Sequence, residues 1–165
     1  MTRLPAARRR YAVRPRLGSA HPGASWLASV MDPPSIIHAE WADTPDHLAE
    51  IPLGIHFDVL RVVDRLGLPV LDQLANSSTV TLGPVLHCQP RQSLEFLVPA
   101  GTAEMWEPLH LTVCAGRGAT LRCPVPGVTS RGRTWLYPPS GDGLLTDPGL
   151  LRGRLEPLTV RGYRL

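Results

Sequence analysis

Apolar residues recur along the chain with two different spacings. Across 24–31, Trp26, Leu27 and Val30 share a face at helical spacing, which predicts a first helix. Asp32 has the chemistry of an N-cap, and Pro33 and Pro34 sit where a helix needs no N–H. A second helix is therefore expected to about Trp41, with Ile36, Ile37 and Trp41 inward. Thr44-Pro45-Asp46 opens a third, short helical turn ending near Glu50. The spacing then shortens to two. Ile55, Phe57 and Val59 alternate with His56, Asp58 and Leu60, which predicts a strand over 55–60. Residues 61–75 return to a helical period broken by Gly67 and Pro69, so two short pieces joined at a kink are expected.

Residues 83–88 and 93–98 read as the strands of a hairpin linked by Gln89-Pro90-Arg91-Gln92. A short helix follows from Gly101 to Glu107, with Met105 and Trp106 inward. Leu109 to Cys114 reads as a strand, Ala115-Gly116-Arg117-Gly118 as a tight turn, and Thr120 to Cys123 as the returning strand. Beyond a loop over 124–134, Trp135-Leu136-Tyr137 is a last short strand, and Asp147-Pro148 caps a final helix to about Leu155. Helices first, then one helix amid strands joined by turns, is an α+β pattern: N-terminal helices on a mixed, largely antiparallel sheet of about five to six strands. One domain is expected over 23–155. It lies between an Arg/Ala/Pro-rich tail over 1–22, read as disordered, and a C-terminal tail over 156–165.

Length and composition agree with one folded domain. The 165 residues suit a single core. Leu, Ile, Val and Phe make up about 27% of them, above the ~20% below which disorder is expected. No run approaches the ~18 uncharged apolar residues of a membrane span. All 17 basic side chains are arginine, which with the wealth of Ala, Gly and Pro points to a GC-rich bacterial genome before it points to nucleic acid. Six of the arginines lie within residues 1–16, so the body from residue 17 onward has a formal charge of −3. A basic binding face therefore does not follow from net charge. Tyr11, Arg14, Pro15, Arg16 and Pro22 interrupt any apolar core of a twin-arginine export signal. Cys88, Cys114 and Cys123 lack metal-clamp spacing, and their odd number favours reduced thiols in the cytoplasm.

Three constellations carry candidate chemistry. Gly116-Arg117-Gly118 lacks the downstream Gly-Lys-Ser/Thr of a phosphate loop and runs into strand-like sequence, so it reads as a hairpin turn. Trp135 and Tyr137 alternate beside Arg131 and Arg133. With Arg117 and Arg122 these form the candidate nucleic-acid-binding set, in which rings stack bases and guanidinium groups hold phosphates. The bland reading is an edge strand whose aromatic residues cap a core. His56 and Asp58 lie two apart on one strand and are the vestigial catalytic and metal candidates. One carboxylate and one imidazole fall short of the acids that hold Mg²⁺ for phosphoryl transfer, and the alternative for Asp58 is a cap or a partner to arginine.

The order of motifs resembles a known family. Phe57-Asp58-Val59 is followed by Gly83-Pro84-Val85, Leu94-Glu95-Phe96-Leu97-Val98-Pro99-Ala100-Gly101-Thr102, Gly116-Arg117-Gly118, Cys123-Pro124-Val125-Pro126-Gly127 and Trp135-Leu136-Tyr137-Pro138-Pro139. Over about 24–155 this is similar to the N-terminal domain of bifunctional DNA primase/polymerases (prim-pol), and to short stand-alone prim-pol-like proteins of GC-rich filamentous bacteria. The resemblance implies an RRM-like catalytic sheet that binds nucleotide and template and uses two divalent cations. It also implies an acidic pair on the first core strand, a Ser/Gly-x-His segment on a later strand, and a further acid near the Gly-rich turn. Here the first position holds His56-Phe57-Asp58, no His follows Ser93 in Gln92-Ser93-Leu94-Glu95-Phe96, and Leu111-Thr112-Val113-Cys114 holds no acid.

The resulting expectation is a degenerate, non-catalytic module, with no cofactor, that binds nucleic acid (single-stranded or duplex), nucleotide, or a replication or regulatory protein. One alternative is an active nucleotidyltransferase using Mg²⁺ or Mn²⁺, with Asp58 aided by Glu95 or Asp64 and His87 approaching from another strand. The other is a protein-interaction module with no nucleic-acid role.

Overall fold

The computed structural model describes residues 21–31 and 35–161. The arginine-rich stretch 1–20, the expected cap and first turn at 32–34, and residues 162–165 lie outside the described residues. The fold is α+β. In chain order it comprises α1 (Pro22–Ser29), α2 (Ser35–Asp43), β1 (Ala49–Pro52), β2 (Phe57–Val63), α3 (Asp64–Ala75), β3 (Val85–Cys88), β4 (Ser93–Pro99), α4 (Thr102–Met105), β5 (Thr112–Ala115), β6 (Thr120–Cys123), β7 (Arg133–Tyr137) and α5 (Pro148–Arg161). Five strands form one sheet in the order β5-β2-β4-β3-β7, while β1 and β6 form a second sheet of two. Every strand pairing among the described residues is antiparallel. The path β2-α3-β3-β4-α4-β5, with spatial order β5-β2-β4-β3, is the split βαβ connectivity of an RRM-like sheet. No helix among the described residues is long and apolar enough to cross a membrane.

The central sheet is buried on both faces, and the period of two assigns its side chains. Phe57, Val59, Leu86, Leu97 and Trp135 face Leu27, Ile37 and Trp41 of α1 and α2 and Ile51 and Leu121 of the small sheet. Leu60, Val62, Leu94, Phe96 and Val98 face Leu66, Val70, Leu71 and Leu74 of α3 and Leu151 and Leu155 of α5. Each such Leu, Val or Phe contributes roughly 1.5–3 kcal/mol on burial. The face left open to bases in RRM domains is thus largely covered here, by α1, α2 and the two-stranded sheet.

Several boundaries differ from expectation. His21 caps α1, its Nδ1 accepting from the Gly23 N–H at 2.9 Å, so residues 21 and 22 of the expected tail belong to a capped helix. The expected helical turn toward Glu50 gives way to β1, because Ala49 and Ile51 can bury only when paired against Cys123 and Leu121. β2 runs to Val63, and 64–75 is one helix rather than two pieces. Pro69 lacks one N–H there but is exposed, so water can reach the carbonyl it leaves free, while Gly67 lets the helix approach Leu94. β5 and β6 do not form the expected hairpin: β5 pairs with β2, and β6 crosses to β1. Met105 points to solvent at 84% exposure, and only Trp106 packs inward. The last helix continues through the expected C-terminal tail to Arg161, with Thr159 buried.

Candidate functional site

Asp58 and His56 do not form a shared site. His56 precedes β2 and is exposed, whereas Asp58 lies within β2 and is 1% exposed. Asp58 Oδ2 accepts from the backbone N–H groups of Gly101 at 3.0 Å and Ala103 at 2.9 Å. The carboxylate thus caps α4 from the neighbouring strand, a role usually filled by a residue at the helix start. Oδ1 is buried without a hydrogen-bond partner. The Gly116-Arg117-Gly118 turn closes over this cap. A Cβ at Gly116 would stand 2.7 Å from Ala103 Cβ and 3.0 Å from Asp58 Oδ2, so the backbone approach needs glycine.

On the opposite face of β2, Arg61 Nε donates to Glu95 Oε1 at 3.2 Å. Arg133 reaches Glu95 Oε2 at 3.4 Å and donates to the Arg122 carbonyl at 3.0 Å. Glu95 is fully buried, with its two guanidinium partners partly exposed, and no acid in the set is free to hold a cation. Sequence reasoning missed Arg61. The available signal was a charge inside each of two apolar strands, Val59-Leu60-Arg61-Val62-Val63 and Leu94-Glu95-Phe96, since buried charges need partners.

The candidate nucleic-acid residues divide. Arg117, Arg122 and Arg131 are exposed, and the last two line one cleft with Glu50 and Asp46. Arg122 also pairs with Glu50 at 3.4 Å. Trp135 and Tyr137 do not make a stacking platform. A register shift in the β3–β7 pairing turns Trp135 into the first cluster and Leu136 into the second, with Tyr137 beside it. Trp135 is 5% exposed, its Nε1–H donating to the Pro124 carbonyl at 2.9 Å, so its ring faces are used by the core, as in the bland reading of this strand.

His87 lies on β3 and pairs not with Asp58 but with Asp64, at the first position of α3. Its Nε2–H donates to Asp64 Oδ2 at 3.1 Å. The pair borders a cleft of about 710 Å³ with Gln92 and Thr134. Among the described residues no three His, Cys, Asp or Glu side chains converge as a cation site.

The thiols are free and two are held protonated. Burial pushes Cys114 up from 9.0 to about 11, with the Asp58 carboxylate adding to it. Burial pushes Cys123 up further; Glu95 adds to this and Arg133 offsets part of it. Because the thiolate is the nucleophile, iodoacetamide at pH 8 should leave Cys114 and Cys123 unmodified in the folded protein and label both in urea. Mass spectrometry reads the result, and rapid labelling of folded Cys114 would contradict it. Folding binds the Cys114 proton more tightly, so this group stabilises the native state less as pH rises from about 9 toward 11.

Compared with known proteins, the chain matches no family model, no curated protein and no solved structure.

Proposed function

We propose that this chain is a non-catalytic module, similar to DNA primase/polymerase domains, that binds nucleic acid through exposed arginines. The observation that carries the reading is the use of Asp58: the one acid at the position where two-metal chemistry needs a pair is committed to the Gly101 and Ala103 amides. Two metals bridging attacking and leaving oxygens require carboxylates that hold them ~4 Å apart, and Glu95 is already neutralised by Arg61 and Arg133. The RRM-like connectivity and the arginines at 117, 122 and 131 support a nucleic-acid ligand. With the base-stacking face covered, phosphate contacts dominate the interaction. The free cysteines accord with a reducing compartment, and the reading includes a cytoplasmic location.

A salt titration with single-stranded and duplex DNA tests it. Affinity should fall steeply and linearly on a log–log plot, and each of Arg117→Ala, Arg122→Ala and Arg131→Ala should reduce the slope by about one. The same protein should extend no primed template with Mg²⁺ or Mn²⁺. A flat salt response overturns the ligand, and extension that disappears in a folded Asp58→Asn variant overturns the lack of catalysis.

A further inference from the structure

We propose that the groove between α4 and the start of α5 docks a segment of this same chain, Arg8-Arg9-Arg10-Tyr11-Ala12-Val13-Arg14, which lies outside the described residues. Its guanidinium groups meet the carboxylates of the groove, and Tyr11 meets the apolar lining. This docking goes beyond the nucleic-acid reading and does not depend on it. The groove has a volume of about 640 Å³, in the range of ligand sites. Met105, 84% exposed, and the half-buried Trp106 supply its apolar surface. Methionine adapts in shape and is common on surfaces that receive a partner.

The charge around that surface is unbalanced. Glu104, Glu107 and Asp147 line the groove and are exposed, and among the described residues none of the three has an ion-pair partner. Arg152, the cation in the lining, is already used. Its Nε donates to Glu156 Oε1 at 2.7 Å and its Nη1 to the Glu107 carbonyl at 2.9 Å. The guanidinium stands 4.9 Å from the centre of the Trp106 ring. Arg152 thus shows the chemistry by which this groove receives a guanidinium: an aromatic face, a carbonyl and a carboxylate. The three acids repel a phosphate. The other acid-bearing cleft holds Arg122 and Arg131 beside its acids. There Glu40 pairs with His47 at 3.0 Å and Glu50 with Arg122 at 3.4 Å, so its charge is largely met from within.

Composition and reach select this chain's own segment over an unlinked partner. Residues 1–20 carry six arginines and no acid, and four of those arginines surround Tyr11 and Val13 within residues 8–14. A Cβ at Gly141 would stand 3.2 Å from Pro22 Cβ, so the start of α1 lies against the loop that leads to the groove. From Gly141 to Asp147 is at most about 22 Å of chain, and from His21 back to Arg14 as much as about 25 Å. The tether therefore reaches. It makes docking intramolecular, at an effective concentration on the order of mM.

The test uses the full chain with a nitroxide on Ala12→Cys and methyl-labelled methionine, read by NMR. Cys88 and Cys123 are buried and Cys114 is held protonated, so the nitroxide goes to residue 12. The methionines are Met1, Met31 and Met105, and Met31, which borders the other acidic cleft, is the control. At low salt the Met105 signal should be lost and the Met31 signal kept. Salt at 1 M should restore Met105, because the Debye length falls to ~3 Å. Glu104→Gln combined with Glu107→Gln should restore it at low salt, with the Met31 shift unchanged to show an intact fold. An undiminished Met105 signal at low salt overturns the docking and leaves the groove to a separate partner. Equal loss at Met31 and Met105, or loss that persists in the double variant, overturns it as well. So does loss of Met105 in a mixture whose nitroxide and methyl labels are on separate chains, since a second copy then fills the groove.

Discussion

Replacing Glu95 with alanine should destabilise the protein by about 3–5 kcal/mol, because it leaves two guanidinium groups at a largely buried position without their countercharge. Arg61 and Arg133 are 26% and 11% exposed beside a carboxylate that is fully buried. For a chain of this length the change corresponds to a fall in Tm of roughly 10 °C. Glu95→Gln should cost less, since the amide oxygen still accepts one hydrogen bond and the shape is kept. Replacing all three residues with apolar side chains of similar volume should recover much of the loss, because the pair energies largely offset desolvation. Urea unfolding monitored by tryptophan fluorescence measures this. A shift of less than ~0.5 kcal/mol in Glu95→Ala, the range of ordinary surface substitutions, would show that the triad contributes little.

Asp58→Ala should lower stability by about 3 kcal/mol, the combined effect of losing two hydrogen bonds to a charged acceptor and leaving the Gly101 and Ala103 N–H groups unpaired. Asp58→Asn keeps one oxygen acceptor and should lose about 1 kcal/mol. The loss should be local at first. Amide exchange at Gly101 and Ala103 should accelerate in Asp58→Ala under conditions where the centres of β2 and β4 stay protected. Unchanged exchange at those two amides would contradict the capping role. A catalytic carboxylate makes the opposite prediction, since removing a strained or like-charged group from an active site usually leaves the fold as stable or more so.

The origin of each role explains what could be read in advance. The β3–β4 hairpin was legible because its turn chemistry and both apolar runs are local, and the structure pairs Val85–Cys88 with Phe96–Ser93. The first two helices were legible for the same reason, through the spacing of Leu27, Ile37 and Trp41. That His56-Phe57-Asp58 carries a single acid, that no His follows Ser93 and that Leu111-Thr112-Val113-Cys114 carries no acid are also properties of sequence alone. The partner of a strand is not. A tight Gly-Arg-Gly turn between two β-prone segments looks identical whether the second returns beside the first or, like β6, crosses to β1.

The sequence by itself therefore determined the α+β class, the positions of the main helices and the single acid in His56-Phe57-Asp58, because periodicity and residue chemistry act within a few residues. Only the tertiary structure decided what the remaining charges do. Asp58 meets amides more than 40 residues away, Arg61 and Arg133 meet on Glu95 from separate strands, and Asp64 meets His87 across 23 residues. A one-residue register shift at β7 likewise separates an apparent stacking pair, Trp135 entering one core cluster and Tyr137 packing against the other. A buried charge announces in sequence that it needs a partner, but the fold, which brings distant strands to within 5 Å of one another, selects which one.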